Sequence, residues 1–255
     1  MIATMLDLTG KRAVVIGGTG VLGGQFCRTL AAAGAEVLVL GRDSLRGERV
    51  VEDIVTAGGR AQHFSVDIAE RASLEAVRDA ISDGGLDVLV NAAGVNSTTA
   101  FTDIDDEEWF RLQDINLAAV FRACQIFSPL MVERENAASI INISSASSGP
   151  PLSRVLTYGV AKAGVNNLTQ YLARELAEKH IRVNALVPGF FPAEQNRAVL
   201  TEERVSSILG HTPMNRLGDP GDLDGALLWL ASSRASAFVT GALIPVDGGF
   251  SAMTI

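Results

Sequence analysis

Residues 14–40 have the sequence VVIGGTGVLGGQFCRTLAAAGAEVLVL, and this stretch decides the fold. The apolar run 14–16 predicts a buried strand, and the glycine-rich segment 17–24 predicts a tight turn into a helix that continues to Ala33. A second apolar run follows at 37–40, which gives the stretch the length of about 30 residues that a β-α-β unit needs. The chain is therefore predicted to begin with two parallel strands joined by a crossover helix.

The same alternation of strand and helix continues to the end of the chain. Further strands are predicted to end near Val66 and to occupy 86–90, 140–143, 183–187 and 243–246. Helices are predicted over 45–57, 73–81, 107–131, 158–179 and 223–231. Strict alternation is typical of a parallel sheet with helices on both faces. We therefore expect one α/β domain over residues 1–255, built on a Rossmann-like, doubly wound parallel sheet of about seven strands.

The composition argues against several classes of function. A formal net charge of -8 and a pI of about 4.9 are unfavourable for a nucleic-acid partner, whose phosphates require a basic face. Cys27 and Cys124 lie in apolar helical patterns and the histidines lack metal-ligand spacing, so no metal site is expected. No apolar run has the length of a membrane span, and the first strand begins too early for a signal peptide. We expect a cytoplasmic protein without a membrane partner.

Gly17, Gly20 and Gly23 lie between a strand and a helix, in the position of a phosphate-binding turn. Glycines allow the backbone to approach a pyrophosphate closely, and the amino end of the next helix attracts it. At the end of the second strand, where an acidic residue would bind the ribose 2′-hydroxyl of NAD(H), the chain has Gly41 and then Arg42. Arg42 favours a 2′-phosphate, so NADP(H) is the favoured cofactor and NAD(H) is the alternative.

Asp43 leaves the choice of cofactor open. If the second strand ends one residue later than its pattern indicates, the Asp43 carboxylate serves the ribose and NAD(H) is preferred. A third interpretation makes Arg42 and Asp43 the solvated start of the next helix, with no part in binding.

Tyr158 and Lys162 form a candidate proton-transfer pair. They are four positions apart in a segment of helical period, so they share a helix face with Cβ atoms about 5–6 Å apart. A phenol titrates near ~10, and a nearby ammonium stabilises the phenolate and lowers its pKa. The pair predicts chemistry that moves a proton onto or off an oxygen. Most pairs of this spacing are solvated surface residues, so the prediction depends on the other motifs.

Motifs along essentially the whole chain resemble those of the short-chain dehydrogenase/reductase family, single-domain type. The resemblance is carried by the glycine turn, Asp67, the run 91–94 (NAAG), Asn116, Ser145, Tyr158 with Lys162, the pair 188–189 (PG) and the run 246–249 (VDGG). Ser145 precedes Tyr158 by 13 positions, the usual offset in the family. The resemblance implies an oxidoreductase that moves a hydride between a nicotinamide and a carbinol or carbonyl carbon.

The resemblance also implies a role for each matching residue. Tyr158 would be the general acid and base, and Ser145 would orient the substrate oxygen. Lys162 would lower the pKa of Tyr158 and bind the nicotinamide ribose, and Asn116 would hold a water in the proton relay. With Arg42 included, the expected cofactor-binding residues are Gly17, Thr19, Gly20, Val21, Leu22, Gly23, Arg42, Asp67, Asn91, Ala93, Tyr158, Lys162, Pro188 and Gly189.

The chain departs from the family pattern near the cofactor. The spacing of its turn glycines is more similar to that of the longer, two-domain relatives. Ile16, Ala92 and Ala193 stand where Thr, Asn and Thr are usual. None of these departures removes a proton-transfer group, so they concern the geometry and affinity of cofactor binding.

The segment from about 190 to 216 is irregular by period and is expected to form a substrate lid. This lid and the loops after Gly94 and before Tyr158 are rich in polar residues, and Asn96, Arg154 and Arg197 are the candidate substrate-binding residues. An Arg can bind a carboxylate in bidentate fashion, and amides suit hydroxyls. Together with a resemblance to the sugar-acid branch (fructuronate reductase, D-mannonate oxidoreductase and gluconate 5-dehydrogenase types), this favours a sugar acid. The alternative is that these side chains face water.

The sequence leaves two other functions open and also predicts an assembly state. A 3-oxoacyl thioester reductase, acting on an acyl carrier protein, would need an apolar groove and a basic patch. A dinucleotide-sensing binding protein without turnover would lack a catalytic side chain, whereas Asn116, Ser145, Tyr158 and Lys162 are all present. The resemblance and the long apolar helices predict a homotetramer that binds a small-molecule substrate.

Overall fold

The computed structural model describes residues 4–132, 137–192 and 201–253. The strands are β1 (Arg12–Ile16), β2 (Glu36–Gly41), β3 (Arg60–Ser65), β4 (Val88–Asn91), β5 (Ala138–Ile143), β6 (Ile181–Pro188) and β7 (Leu243–Val246). The α-helices are α1 (Val21–Ala32), α2 (Ser44–Thr56), α3 (Arg71–Ala80), α4 (Asp106–Gln113), α5 (Ala119–Val132), α6 (Leu156–Leu176), α7 (Glu202–His211) and α8 (Asp224–Ala231).

The seven strands form one parallel sheet in the order β3-β2-β1-β4-β5-β6-β7. The predicted doubly wound α/β sheet is therefore confirmed. β1 pairs with β2 on one side and with β4 on the other, so the chain changes its direction of winding between these strands. A crevice opens at such a reversal, beyond the carboxyl ends of the strands.

Strand residues alternate between two apolar cores, one on each face of the sheet. Val14 and Ile16 belong to the core beneath α3, α5 and α6, whereas Ala13 and Val15 belong to the core beneath α1, α2 and α8. Because both faces are covered, the inner strands β1, β2 and β4 contain continuous apolar runs, whereas β3 at the edge of the sheet is largely polar. This rigid centre fixes the positions of the strand ends, where the candidate site lies.

The long helix predicted over 107–131 is interrupted. α4 is followed by a π-helical turn at Asp114–Ala118, and α5 begins after it. Within the turn, Asn116 Nδ2 donates to the carbonyl oxygen of Leu112 at 2.9 Å, which occupies the acceptor that a regular helix would give to the Asn116 backbone N–H. The insertion turns Asn116 toward the loop that follows β4.

By length and composition, the stretch Asp106–Val132 could cross a membrane. Half of its most apolar window is buried inside the protein, and Phe127 and Leu130 pack in the core beneath α5. The apolar residues of this stretch are thus largely explained by its contact with the sheet.

The predicted lid contains a helix that the sequence pattern did not indicate. Residues Glu202–His211 form α7, which buries only Ile208, so it lacks the apolar stripe that predicts a helix. Thr201 caps it by accepting a hydrogen bond from the backbone N–H of Arg204. Arg197 and Ala193, named from the sequence, lie outside the described residues.

Candidate active site

The turn after β1 is closed by glycines whose positions exclude any side chain. Gly17 has a φ of +81°, and a Cβ placed on it would lie 2.6 Å from the backbone nitrogen of Ala93. A Cβ on Gly23 would lie 2.1 Å from the carbonyl oxygen of Gly17. Such distances are far below van der Waals contact, so the turn and the first turn of α1 pack backbone against backbone. This cradle of main-chain groups at a helix amino end suits a pyrophosphate.

Two cavities meet at this turn. The first, of about 240 Å³, lies toward β5 and β6, and the second, of about 180 Å³, lies toward β2 and β3. Both are lined by Gly17, Gly20 and the loop 92–94, so they form one cleft along the carboxyl edge of the sheet. The predicted residues that line the first cavity are Gly17, Gly20, Val21, Leu22, Gly23, Ala93, Asn96, Ser145, Tyr158, Lys162, Pro188 and Gly189. Those that line the second include Thr19, Arg42 and Asp67.

The second cavity contains a cation at the end of β2. Arg42 is exposed and lines this cavity, whereas Asp43 is the N-cap of α2. The Asp43 carboxylate accepts a 3.0 Å hydrogen bond from the backbone N–H of Arg46 and pairs with the Arg46 side chain at 3.1 Å. Asp43 is therefore engaged by its own helix, and the charged residues that line the second cavity are Arg42 and Asp67.

The Asn91 side chain points into the core and not into the cleft. Asn91 is 2% exposed, and its Nδ2 donates to Asn142 Oδ1 at 2.8 Å. Asn142 Nδ2 in turn donates to Thr169 Oγ1 at 2.9 Å, which ties β4, β5 and α6 together. The expectation that Asn91 lines the adenine ribose thus lacks support from its side chain, which has a structural position at the end of β4.

α6 places Tyr158 and Lys162 on the wall of the first cavity. Lys162 Nζ lies 5.6 Å from the centroid of the Tyr158 ring and donates a 2.8 Å hydrogen bond to the carbonyl oxygen of Ile143. Lys162 is 2% exposed, and this burial lowers its pKa from 10.5 to about 8. The amine therefore loses its proton more readily than a surface lysine.

The pKa of Tyr158 is shifted opposite to the direction expected from the sequence. Burial raises it from 10.0 to about 12, and a hydrogen bond with Ser145 opposes this rise. The effect of burial on the phenolate therefore outweighs the stabilisation that was expected from Lys162. In this structure the phenol is a proton donor at neutral pH.

Ser145 faces the cavity, whereas its neighbour Ser144 does not. Ser144 is 2% exposed, and its hydroxyl donates to the carbonyl oxygen of Lys162 at 3.3 Å. Ser145 Oγ accepts hydrogen bonds from the hydroxyl of Ser147 at 2.9 Å and from its backbone N–H at 3.2 Å. With both lone pairs engaged, the Ser145 hydroxyl is left as a donor. Sequence reasoning did not identify Ser147, because nothing in its spacing indicates this contact.

Asn116 holds the loop at the end of β4 in place. Its Oδ1 accepts from the backbone N–H of Val95 at 3.0 Å, and its Nδ2 donates to the Val95 and Leu112 carbonyls, each at 2.9 Å. A Cβ on Gly94 would lie 2.9 Å from Asn116 Oδ1, so this close packing also requires a glycine. Both donors of the Asn116 amide are engaged by the protein, so the expected contact with a relay water has no free side-chain N–H.

The candidate substrate residues have different positions. Asn96 lines the first cavity, and its Oδ1 accepts a 2.8 Å hydrogen bond from the backbone N–H of Ser97. Arg154 is exposed, has a φ of +66° and is absent from the cavity wall. Arg204, which sequence reasoning did not identify, does line the cavity. Several arginines occur in the predicted lid, and the sequence has no signal that distinguishes the one that turns inward.

Comparison with known proteins identifies the family. The family model described as "Enoyl-(Acyl carrier protein) reductase", one of the short-chain dehydrogenase/reductase models, matches residues 20–251. The chain belongs to the short-chain dehydrogenase/reductase family. Members of this family transfer a hydride at a CH–OH group, so the chain is an oxidoreductase that binds NAD or NADP.

Relatives within the short-chain dehydrogenase/reductase family include several connected with sugar acids. The chain is 39% identical, over 99% of both chains, to the uncharacterized oxidoreductase UxuB of Bacillus subtilis. A gluconate 5-dehydrogenase structure from Burkholderia cenocepacia, in complex with NADP and tartrate, is 31% identical with a TM-score of 0.95 and 100% coverage of both chains. A proposed D-mannonate oxidoreductase from Haemophilus influenzae, with bound NAD, is 33% identical with a TM-score of 0.92, covering 100% of this chain and 99% of that one. The resemblance to the sugar-acid branch is confirmed.

Proposed function

We propose that this protein interconverts the carbonyl and secondary alcohol of a sugar acid or a similar polyhydroxy substrate, with Tyr158 as the acid and base. The observation that carries the proposal is the single cleft in which the glycine cradle, Tyr158, Lys162 and Ser145 line one continuous wall. A dinucleotide held at the cradle would be bound by Arg42 in the second cavity and by Tyr158 and Lys162 in the first.

The chemistry at the first cavity is acid–base catalysis. The nicotinamide, when bound, supplies or accepts the hydride. During reduction, the Ser145 hydroxyl and the Tyr158 phenol donate hydrogen bonds to the substrate oxygen, and Tyr158 then transfers its proton to that oxygen. During oxidation, Tyr158 must first lose its proton to solvent, which its raised pKa disfavours at neutral pH, and the phenolate then removes the proton of the alcohol. Ser147 positions Ser145 by occupying its acceptor sites, so that the Ser145 hydrogen is directed away from the loop.

NADP(H) is the favoured cofactor in this proposal. Arg42 lines the second cavity, and Asp43, the acidic residue that could bind a ribose 2′-hydroxyl, caps α2 and pairs with Arg46. An arginine facing the adenosine end favours a 2′-phosphate through charge-assisted hydrogen bonds. NAD(H) remains the alternative, since relatives with each cofactor are similar to this chain to nearly the same degree.

A 3-oxoacyl thioester reductase is the second candidate. Apolar side chains form part of the wall of the first cavity. The description of the matching family model is that of a reductase that acts on an acyl carrier protein. The apolar residues of this wall include Ala146, Leu152, Val155, Phe190 and Phe191. The dinucleotide-sensing alternative is weaker, because Ser145, Tyr158 and Lys162 converge on one cavity.

A substrate panel tests the proposal. Keto-sugar acids, the corresponding hydroxy acids and an acetoacetyl thioester are each assayed with NADP+, NADPH, NAD+ and NADH by nicotinamide absorbance. The proposal predicts the highest kcat/KM for a sugar acid with an NADP(H) form. Turnover of the thioester alone would favour the second candidate, and turnover of nothing in the panel would contradict both.

We also propose a cytoplasmic homotetramer. The helices α4, α5 and α6 expose large apolar side chains that a second copy would cover, including Phe110, Phe121 and Tyr171. Exposed apolar surface of this kind is typical of an interface between subunits. Calibrated gel filtration should give the mass of four chains, and elution as a monomer would contradict this assembly.

A further inference from the structure

Arg204 places a positive charge at the first cavity. It lies in the first turn of α7 and lines the cavity that also contains Ser145 and Tyr158. The neighbouring wall includes the apolar side chains of Leu152 and Val155. Beside apolar groups, a guanidinium forms favourable hydrogen bonds with a polar group of a substrate. An apolar substrate group at the same position gains no such interaction.

The orientation of the guanidinium is fixed while one of its donors is unused. Arg204 Nη1 donates to the hydroxyl of Ser153 at 3.1 Å, and Nη2 donates to the Ser153 carbonyl oxygen at 2.8 Å. Arg204 Nε is buried and has no hydrogen-bond partner within the part of the chain that the structure describes. A buried donor without an acceptor carries an energetic cost, which an incoming oxygen would remove.

The charge of Arg204 is also not neutralised. Within residues 4–132, 137–192 and 201–253, no carboxylate forms an ion pair with it, and Ser153 is its hydrogen-bond partner. Burial lowers the pKa of Arg204, and repulsion from the nearby Arg154 adds to this effect. Arg204, Arg46 and Lys162 all line the cavity, and their positive potential attracts an anion.

We propose that Arg204 binds the carboxylate of the substrate, while Arg154, outside the cavity wall, adds to the positive potential around Arg204. This inference rests on the proposed sugar-acid function and specifies how the substrate is oriented. The carbonyl lies at Ser145 and Tyr158, and the carboxylate lies on the side of α7. Arg204 is thus a specificity-determining residue that selects acids over neutral sugars.

The assignment is tested by measuring kcat/KM for a keto-sugar acid and kcat/KM for a neutral ketose of the same carbon number. The ratio of the first value to the second is the acid-to-neutral ratio. In Arg204→Gln this acid-to-neutral ratio should fall about 10- to 100-fold, because a charge-assisted hydrogen bond to a partly buried cation is lost. Arg204→Lys keeps the positive charge but lacks the planar guanidinium, so its acid-to-neutral ratio should fall by less than in Arg204→Gln. The matched control is Arg60→Gln, which removes an exposed cation at the opposite edge of the sheet and should leave the ratio unchanged.

A second variant separates substrate binding from folding of the lid. Ser153→Ala removes a contact that orients Arg204 but retains its charge, so the acid-to-neutral ratio should fall by less than in Arg204→Gln. Melting temperatures of all variants show whether α7 and the loop before α6 remain folded. An unchanged ratio in a folded Arg204→Gln protein would overturn the assignment.

A binding measurement distinguishes failure of this inference from failure of the proposed function. NADP+-saturated protein is titrated calorimetrically with tartrate, a small polyhydroxy dicarboxylate. A loss of tartrate affinity of at least tenfold in Arg204→Gln would support the anion site. This result would hold even if no sugar acid were turned over and the proposed function failed. Equal affinity in wild type and variant, or no binding to wild type, would overturn the assignment of Arg204.

Discussion

The two ends of the cleft are formed by different kinds of chemical group. At the nucleotide end, the decisive groups are main-chain atoms and glycines, such as Gly17 and Gly23, fixed by strands of the central sheet. At the substrate end, the decisive groups are side chains such as Arg204 and Asn96, which extend from loops and from a helix in the lid. The first construction is fixed by close packing of backbone atoms, whereas the second depends on side chains and allows the chemistry of the substrate to change.

This difference predicts how each end responds to mutation. At the nucleotide end, adding one methyl group should be damaging, because no space is left between backbones. At the substrate end, a side chain should be replaceable without loss of the fold, with its effect limited to rate or selectivity. The following changes test the two ends separately, from the largest expected effect to the smallest.

The largest effect is expected for Tyr158→Phe. Loss of the phenolic hydroxyl should lower kcat by about 10²- to 10⁴-fold, which is the usual contribution of general acid–base catalysis. NADPH binding, measured by fluorescence titration, should remain within about threefold of the wild-type affinity. Tyr171→Phe is a matched control, since Tyr171 lies on the same helix and is 59% exposed. Turnover by Tyr158→Phe close to that of the control would remove Tyr158 from its proposed role.

A smaller effect on a different quantity is expected for Gly23→Ala. Its Cβ would lie 2.1 Å from the Gly17 carbonyl oxygen, so the turn must shift and the dissociation constant of NADPH should rise at least tenfold. Overpacking of this kind should also lower the free energy of unfolding by about 1–3 kcal/mol.

The control for this change is Gly225→Ala in α8. Among the described residues, no atom outside the neighbouring residues and backbone of α8 lies within 4 Å of a Cβ placed on Gly225. Alanine also favours the helix, so stability should rise by about 0.4–1 kcal/mol without a change in cofactor affinity. If Gly23→Ala binds NADPH as tightly as Gly225→Ala does, the glycine turn is not the phosphate cradle that we describe.

Among the substitutions at the cleft, the smallest change in the free energy of unfolding is expected for Lys162→Met, which should be more stable than the wild type. Burial lowers the pKa of Lys162 from 10.5 to about 8, which corresponds to about 3 kcal/mol of cost at pH 7. Loss of the hydrogen bond to Ile143 offsets about 1 kcal/mol of this. The variant should therefore be more stable than the wild type by about 1–2 kcal/mol at pH 7, while losing activity.

The pH dependence of this difference follows from the two pKa values. Between pH 8 and 10.5 the unfolded wild type binds a proton that the folded wild type has released, so wild-type stability rises with pH relative to the variant. Urea denaturation at pH 7 and pH 10 measures both stabilities. A stability difference that stays constant over this interval would show that the Lys162 amine is not desolvated as the structure indicates.

Most of the fold could be predicted from the sequence, because the strands are buried on both faces. Runs such as 37–40 and 140–143 are apolar without interruption, and glycines mark the turns that follow the first strand and helix. Two features were not predictable. The π-helical turn at Asp114–Ala118 depends on a side-chain contact of Asn116, and α7 has no apolar stripe because it buries only Ile208.

The candidate site was predicted where it depends on position along an element. The contact of Tyr158 with Lys162 follows from helical spacing, and the approach of Gly17 to Ala93 follows from neighbouring strand ends. Side-chain direction was not predictable in the same way. Asn91 turns into the core, and Arg204, not Arg154, reaches the cavity wall. Such choices depend on packing between segments distant in sequence.

The central claim is that one cleft brings a nicotinamide to Tyr158, and a crystal structure with NADP+ tests it most directly. We expect the pyrophosphate at the Gly17–Gly23 turn, the 2′-phosphate beside Arg42, and the nicotinamide ring beside the hydroxyl of Tyr158 and the amine of Lys162. A nicotinamide bound elsewhere, or a Tyr158 hydroxyl turned away from the ring, would contradict the proposed role of Tyr158.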